Sequence, residues 1–191
     1  MQTELTEPQW DALRELANVG AGHAASVLSR LLSGERLGFQ PPEAWRASAR
    51  EFTQLLGGDS SPWLAAVLEV SGDVEGTLWL VFGRKDAQWL ASRVLALPSP
   101  DELAVNGALA QVAQEVGTAA LAAMGKLTGL SLKGGTPVLH RSATGVLATG
   151  ASENAKVLAL DALLRAKGFA AQLLFLPDPE SLGALLKSLR V

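Results

Sequence analysis

Cysteine is absent from this 191-residue chain, and histidine occurs only twice. The first absence excludes disulfide scaffolds, thiol nucleophiles and cysteine-based zinc sites, and it fits a reducing compartment. His23 and His140 are far apart, with no cluster of His, Cys or carboxylates at ligand spacing, so no metal or other cofactor of the chain's own is expected. Charge is also scarce, at 18% of residues, with 16 Lys and Arg against 19 Asp and Glu and a formal net charge of -3. That balance leaves no basic footprint, which argues against nucleic-acid binding by phosphate neutralisation and against anionic membrane surfaces. Apolar runs such as residues 169–176 fall far short of the ~20 residues that span a bilayer, so no membrane insertion is expected. The acidic start lacks the basic and apolar regions of a signal peptide, and a cytoplasmic location is the expectation. What is abundant is apolar surface, at 48% hydrophobic residues, enough to build a core without disulfides or structural metals.

That apolar material is organised as one unit used twice. Thr6 and Gln9, with Pro8 between them, form a capping-box pattern ahead of a helix expected to reach about Leu32. Its buried stripe is Leu13, Leu16, Gly20, Ala24, Val27 and Leu31. Ser99, Pro100 and Glu102 announce a second long helix, with Pro at the first helical position and a stripe of Leu109, Val112, Val116, Ala120, Ala123 and Leu127 before Gly129. The stripes are offset by 96 residues. After the first helix come a strand at 39–42, a short helix near 50–56 and apolar runs at 62–70 and 76–82; after the second come 131–139, 145–149, 156–164 and 169–175. Turn signals at Ser71-Gly72-Asp73 and Ala166-Lys167-Gly168 join the later runs into hairpins, and amphipathic helices at 86–97 and 179–189 close each half. The expected fold is therefore α/β of the α+β kind. Two repeats of long helix, strand, hairpin and short helix, residues 1–98 and 99–191, share one mainly antiparallel sheet with both long helices packed on it.

At about 100° per residue, Asp11, Glu15 and Asn18 fall within roughly 60° of one another, opposite the buried stripe. Gly22, Ala25 or Ser26, and Ser29 continue that face with small residues, so the carboxylate and amide stand where a partner can approach closely.

The spacing from Asp11 through Glu15 and Asn18 to Pro41 resembles the D/S-x3-E-x2-N-x22-P signature of the CheC, CheX and FliY group of chemotaxis phosphatases, with all four positions matched. The text from Leu13 to Ala25 is similar to that family's first long helix, and the repeated organisation extends the likeness over nearly the whole chain. The resemblance implies a single CheC-like domain that hydrolyses the aspartyl phosphate of a CheY-type response regulator, the regulator bringing the acyl phosphate and its Mg2+. It implies that Asn18 orients the attacking water and Glu15 pairs with a lysine of the regulator. Asp11 would support the docking surface or the helix start, and Pro41 would shape the adjacent loop. CheD is a further partner that the resemblance suggests, through the terminal helix at 179–189. The alternative is a non-catalytic binding module, such as a CheD-binding adaptor or a switch component of the FliM type. Shifting by 96 residues puts Gly107, Gln111, Gln114 and Pro137 at the four signature positions, so the second copy keeps the proline and loses the acid and the Asn.

Other signals have structural explanations. Gly20, Gly22 and Ala25 match G-x-G-x-x-A, but a dinucleotide fingerprint opens a helix after a strand, whereas these residues lie inside a helix. Gly20 is expected to permit close packing against the second long helix. Asp59, Ser60 and Ser61 read as a polar loop without a catalytic role, and Trp63, Trp79 and Trp89 as core.

Overall fold

In the computed structural model, which describes residues 4–55, 63–141 and 156–191, helix α1 spans Glu7–Leu31 and begins where the capping pattern places it. Thr6 N donates to Gln9 Oε1 at 3.0 Å, satisfying a donor that the helix itself cannot use. Helix α4 spans Glu102–Thr128 and corrects the expected start. Its cap is Asp101, whose carboxylate accepts from Ala104 N at 2.8 Å, so neither Ser99 nor Pro100 opens the helix. Pro100 is instead buried, and its carbonyl accepts from Gln88 Nε2 at 2.9 Å. Gly129 ends α4 in the left-handed conformation (φ 72°), its N–H bonded to Gly125 O.

Between the long helices lie β1 (Gly38–Phe39), β2 (Glu43–Ser48), α2 (Ala49–Leu55), β3 (Trp63–Gly72), β4 (Gly76–Gly83) and α3 (Arg84–Leu95). After α4 come β5 (Leu132–Gly134), β6 (Val138–His140), β7 (Lys156–Ala166), β8 (Phe169–Pro177) and α5 (Leu182–Ser188). Of the strand expected at 39–42 only Phe39 joins the sheet, in β1, and β2 follows at 43–48 where no strand is expected; the strand expected at 131–139 is interrupted, giving β5 with β6. Pro41, Pro42 and Pro137 occupy the gaps, where the chain has no N–H to give to a ladder. The closing helices fall at 84–95 and 182–188, short of the expected 97 and 189; Ala96 stops α3 by turning left-handed (φ 52°). The expected strand at 145–149 lies outside the described residues.

The eight strands among the described residues form one antiparallel sheet in the order β1-β7-β8-β4-β3-β5, with β2 also on β7 and β6 also on β3. The pairing is reciprocal. Gly38 of β1 faces Arg165 on the later hairpin, and Gly134 of β5 faces Val70 on the earlier one. The hairpins meet at the centre, where Leu80 of β4 faces Leu173 of β8.

One face of the sheet carries α1, α4 and the main core. Leu64, Leu68 and Leu80 pack there with Leu16, Leu28, Leu109 and Val116 from the helices. The long helices approach each other and the sheet closely through small residues. A Cβ on Gly20 would land on the Met124 side chain of α4, and one on Gly117 would come 2.9 Å from Leu68 Cδ2. Contact of this kind offsets the ~1 kcal/mol that Gly costs inside a helix relative to Ala. Gly20 thus packs against α4 as expected.

The opposite face holds a second cluster built from Phe52, Trp63, Val67, Trp79, Ala159 and Leu174. With both faces covered, β3 reads as a nearly unbroken apolar run. Asp161 of β7 lies at the margin of this cluster, accepting from Gln172 Nε2 at 2.8 Å and Trp45 Nε1 at 3.4 Å. Burial raises its pKa, the two hydrogen bonds oppose that rise, and Glu43 opposite adds to it. A carboxyl with a raised folded pKa binds its proton more tightly in the native state, so stability falls as pH rises from the unfolded value, about 4, through the folded one. Asp161→Asn is therefore expected to show a stability advantage that grows between pH 4 and pH 7 in urea titrations. A difference independent of pH would show that Asp161 ionises in the native state as it does in the unfolded chain.

Candidate functional site

Burial of Leu13, Leu16, Ala17, Gly20 and Ala24 fixes the rotation of α1, and that rotation turns Asp11, Glu15 and Asn18 outward. All three are exposed, as the periodicity predicts. They share one face over two turns, about 10 Å of helix at 1.5 Å per residue. Asp11 is engaged, its Oδ1 lying 2.6 Å from Arg14 Nη1 in an i, i+3 pair whose side chains are 73% and 42% exposed. Arg14 is the residue that the sequence reading leaves out, and its spacing from Asp11 is the signal that finds it. Among the described residues Glu15 and Asn18 have no side-chain partner. A pair at this exposure adds little stability, so its effect is local: it engages the Arg14 guanidinium at Asp11.

The next turns are low, as expected, with Ser26 rather than Ala25 on the outer face; Ala25 is buried. The serines do not present free donors. Ser26 Oγ donates to Gly22 O at 2.8 Å and Ser29 Oγ to Glu35 O at 2.6 Å. Gly22 is half-buried, and a Cβ there would meet the Phe39 ring at 3.9 Å, so β1 runs alongside the later part of α1. Pro41 follows two residues on, exposed in the β1–β2 connection, on a different element from the other three signature residues.

The corresponding face of α4 differs. Gly107 and Gln111 are exposed and Gln114 is half-buried. Each glutamine amide reaches along its own helix, Gln111 Nε2 to Glu115 Oε1 at 3.5 Å and Gln114 Nε2 to Thr118 Oγ1 at 3.4 Å. Pro137 is half-buried between β5 and β6. His23 is exposed on α1 and His140 half-buried on β6, and no group of three or more His, Cys, Asp or Glu residues that could hold a metal occurs among the described residues. Gly20 and Gly22 lie within α1, which excludes the phosphate-binding turn of a dinucleotide fold. Asp59, Ser60 and Ser61 lie outside the described residues. Trp63 and Trp79 are buried, and Trp89 is half-buried, stacked on Phe169. No described helix is long and apolar enough to cross a membrane.

Residues 9–34 match the model of the CheC-like family, a segment that contains Asp11, Glu15 and Asn18. The chain is 30% identical over 97 residues to the CheY-P phosphatase CheC of Bacillus subtilis (strain 168), a match covering 51% of this chain and 46% of that protein. The match thus spans less than half the length of that relative. Among solved structures, FliY of Thermotoga maritima superposes with a TM-score of 0.78 at 15% identity, over 98% of each chain. A chain of the FliM–SpeE complex of H. pylori gives a TM-score of 0.75 at 12% identity, over 98% of this chain and 97% of that one. These structural likenesses carry the fold, and the family-model match falls on the helix that carries Glu15 and Asn18.

Proposed function

We propose that this chain, CheC-like in its first helix and in its fold, accelerates hydrolysis of the aspartyl phosphate of a CheY-type response regulator. One observation carries the reading: an exposed carboxylate and an exposed amide, neither with a partner among the described residues, stand on successive turns of the helix that matches the CheC-like family.

The chemistry asks little more of the phosphatase. Water attacks phosphorus, the P–O bond to the regulator's aspartate breaks, and the carboxylate leaves with the bonding pair as inorganic phosphate forms. Such transfers proceed through loose transition states, so rate comes from holding the water in line and stabilising charge, and a strong base is unnecessary. Asn18 suits that task because its amide both accepts from and donates to water. Glu15, one turn away, is placed to meet a cation of the regulator, and the Asp11–Arg14 pair keeps the chain's own guanidinium from competing for it. The regulator brings the Mg2+.

The likeness to a chain of the FliM–SpeE complex favours a second reading, a binding module without catalysis. Catalytic amounts of the chain added to a phosphorylated regulator separate the two: a shortened phosphate lifetime supports the phosphatase, and decay at the intrinsic rate supports the module. The second copy gives a further test. If only side chains were lost there, the double change Gln111→Glu with Gln114→Asn is expected to raise the rate toward twice that of wild type, the limit for two equal sites. An unchanged rate would place the loss in the surrounding surface.

A further inference from the structure

The first turn of α3 breaks a local rule. A helix N-terminus carries partial positive charge, so acids stabilise it and cations oppose it. Arg84 and Lys85 nevertheless open α3, both exposed and without an ion pair among the described residues. Asp86, the acid of that turn, accepts from Ala170 N at 3.0 Å through Oδ1, and its Oδ2 lies over the cap residue Gly83, where a Cβ would come 2.8 Å from it. Cations kept where helix stability disfavours them point to a role outside the fold.

Beside them lies a groove of about 560 Å3 lined by Arg84, Lys85, Gln88, Trp89, Ser92 and Pro98. Its two cations face no carboxylate of the described lining, in a chain whose net charge is -3. Gln88 Nε2 is committed to Pro100 O at 2.9 Å and Ser92 Oγ to Trp89 O at 2.8 Å. Arg84 and Lys85 therefore hold the uncommitted charged donors. Trp89 and Pro98 give the groove an apolar wall. Trp89 stacks on Phe169 with ring centroids 5.2 Å apart, the Arg93 guanidinium carbon lies 5.1 Å from the Trp89 ring, and Leu97 beyond the end of α3 is 47% exposed.

We infer that this groove binds an acidic segment of a protein partner, with carboxylates against Arg84 and Lys85 and an apolar side chain against Trp89 and Pro98. Charge complementarity selects the acid, and the apolar wall selects a peptide over a small anion, which would leave that wall uncovered. No residue of α1 lines the groove, so the inference stands apart from the phosphatase reading.

The test follows the indole N–H resonances of the 15N-labelled full chain, with Trp89 assigned through Trp89→Phe. The probes are a synthetic peptide of repeated Asp-Glu-Leu and its Asn-Gln-Leu counterpart. The acidic peptide is expected to shift the Trp89 resonance saturably, more weakly as salt is raised. Arg84→Glu with Lys85→Glu is expected to weaken binding by about tenfold or more. That variant should fold, since acids suit a helix N-terminus, and its thermal midpoint checks this. The inference is overturned if the acidic peptide at about 1 mM, the affinity floor of a weak site, leaves Trp89 unmoved. Equal shifts with the neutral peptide, undiminished binding by the folded variant, or displacement by inorganic pyrophosphate as effective as by unlabelled peptide would overturn it too.

Discussion

Asn18→Ala is expected to remove most of the acceleration this chain gives to decay of a phosphorylated regulator, about 100-fold or more at saturating regulator, the scale on which misplacing a reactant matters. The variant should remain as stable as wild type, because Asn18 is exposed on α1 and Ala is the better helix former by a few tenths of a kcal/mol. Loss of rate without loss of fold separates a positioning role from a structural one. Glu15→Gln should act differently. If Glu15 meets a cation of the regulator, its loss raises the regulator concentration needed for half-maximal rate and changes the saturated rate less. Asn18→Ala accelerating decay as well as wild type would place the reaction elsewhere on the molecule. A wild-type chain without any acceleration would instead leave the binding-module reading.

The face that carries these residues was legible because a helix converts sequence spacing directly into direction. Once Leu13, Leu16 and Gly20 are buried, Asp11, Glu15 and Asn18 have no other side to occupy. Both long helices were readable for the same reason, and the hairpins for their turn residues. What could not be read is which strand joins which hairpin. The apolar runs at β3 and β7 have equal claims on β1 and β5, and local pattern carries no information about a partner distant in sequence. The structure gives β1 and β2 to β7, and β5 and β6 to β3. The contact of Trp45 with Asp161, 116 residues apart, was invisible for that reason. The start of α4 was misread because Ser99 and Pro100 form a capping signal as good as that of Asp101. Burial of Pro100 against Gln88, a tertiary contact, decides between them.

Phe52→Ala is expected to cost about 3–5 kcal/mol, in the range for truncating a buried aromatic. That is a large share of the 5–15 kcal/mol by which domains of this size are stable. Helix α2 has only seven residues, Ala49–Leu55, too few to persist alone when ~12–15 are needed in water. Its start is capped reciprocally: Ser48 N and Oγ donate to Glu51 Oε2 at 2.7 and 2.8 Å, and Glu51 N donates back to Ser48 Oγ at 3.2 Å. Those bonds hold the Glu51 carboxyl below its usual range, so the cap weakens as pH falls through the lowered value. The cap sets the geometry, and Phe52 attaches the helix. Its ring is fully buried, edge-on to Trp79 at 5.4 Å and tilted against Trp45 at 5.8 Å. Truncation opens a cavity between Trp45 and Trp79 on the face of the sheet opposite α1. Urea unfolding should therefore show the loss in its midpoint, while stimulated decay per folded molecule stays at the wild-type rate because Glu15 and Asn18 lie on the other side. A cost below about 1 kcal/mol would mean that the site collapses around the missing ring. A fall in the rate per folded molecule would mean that the two faces of the sheet are coupled.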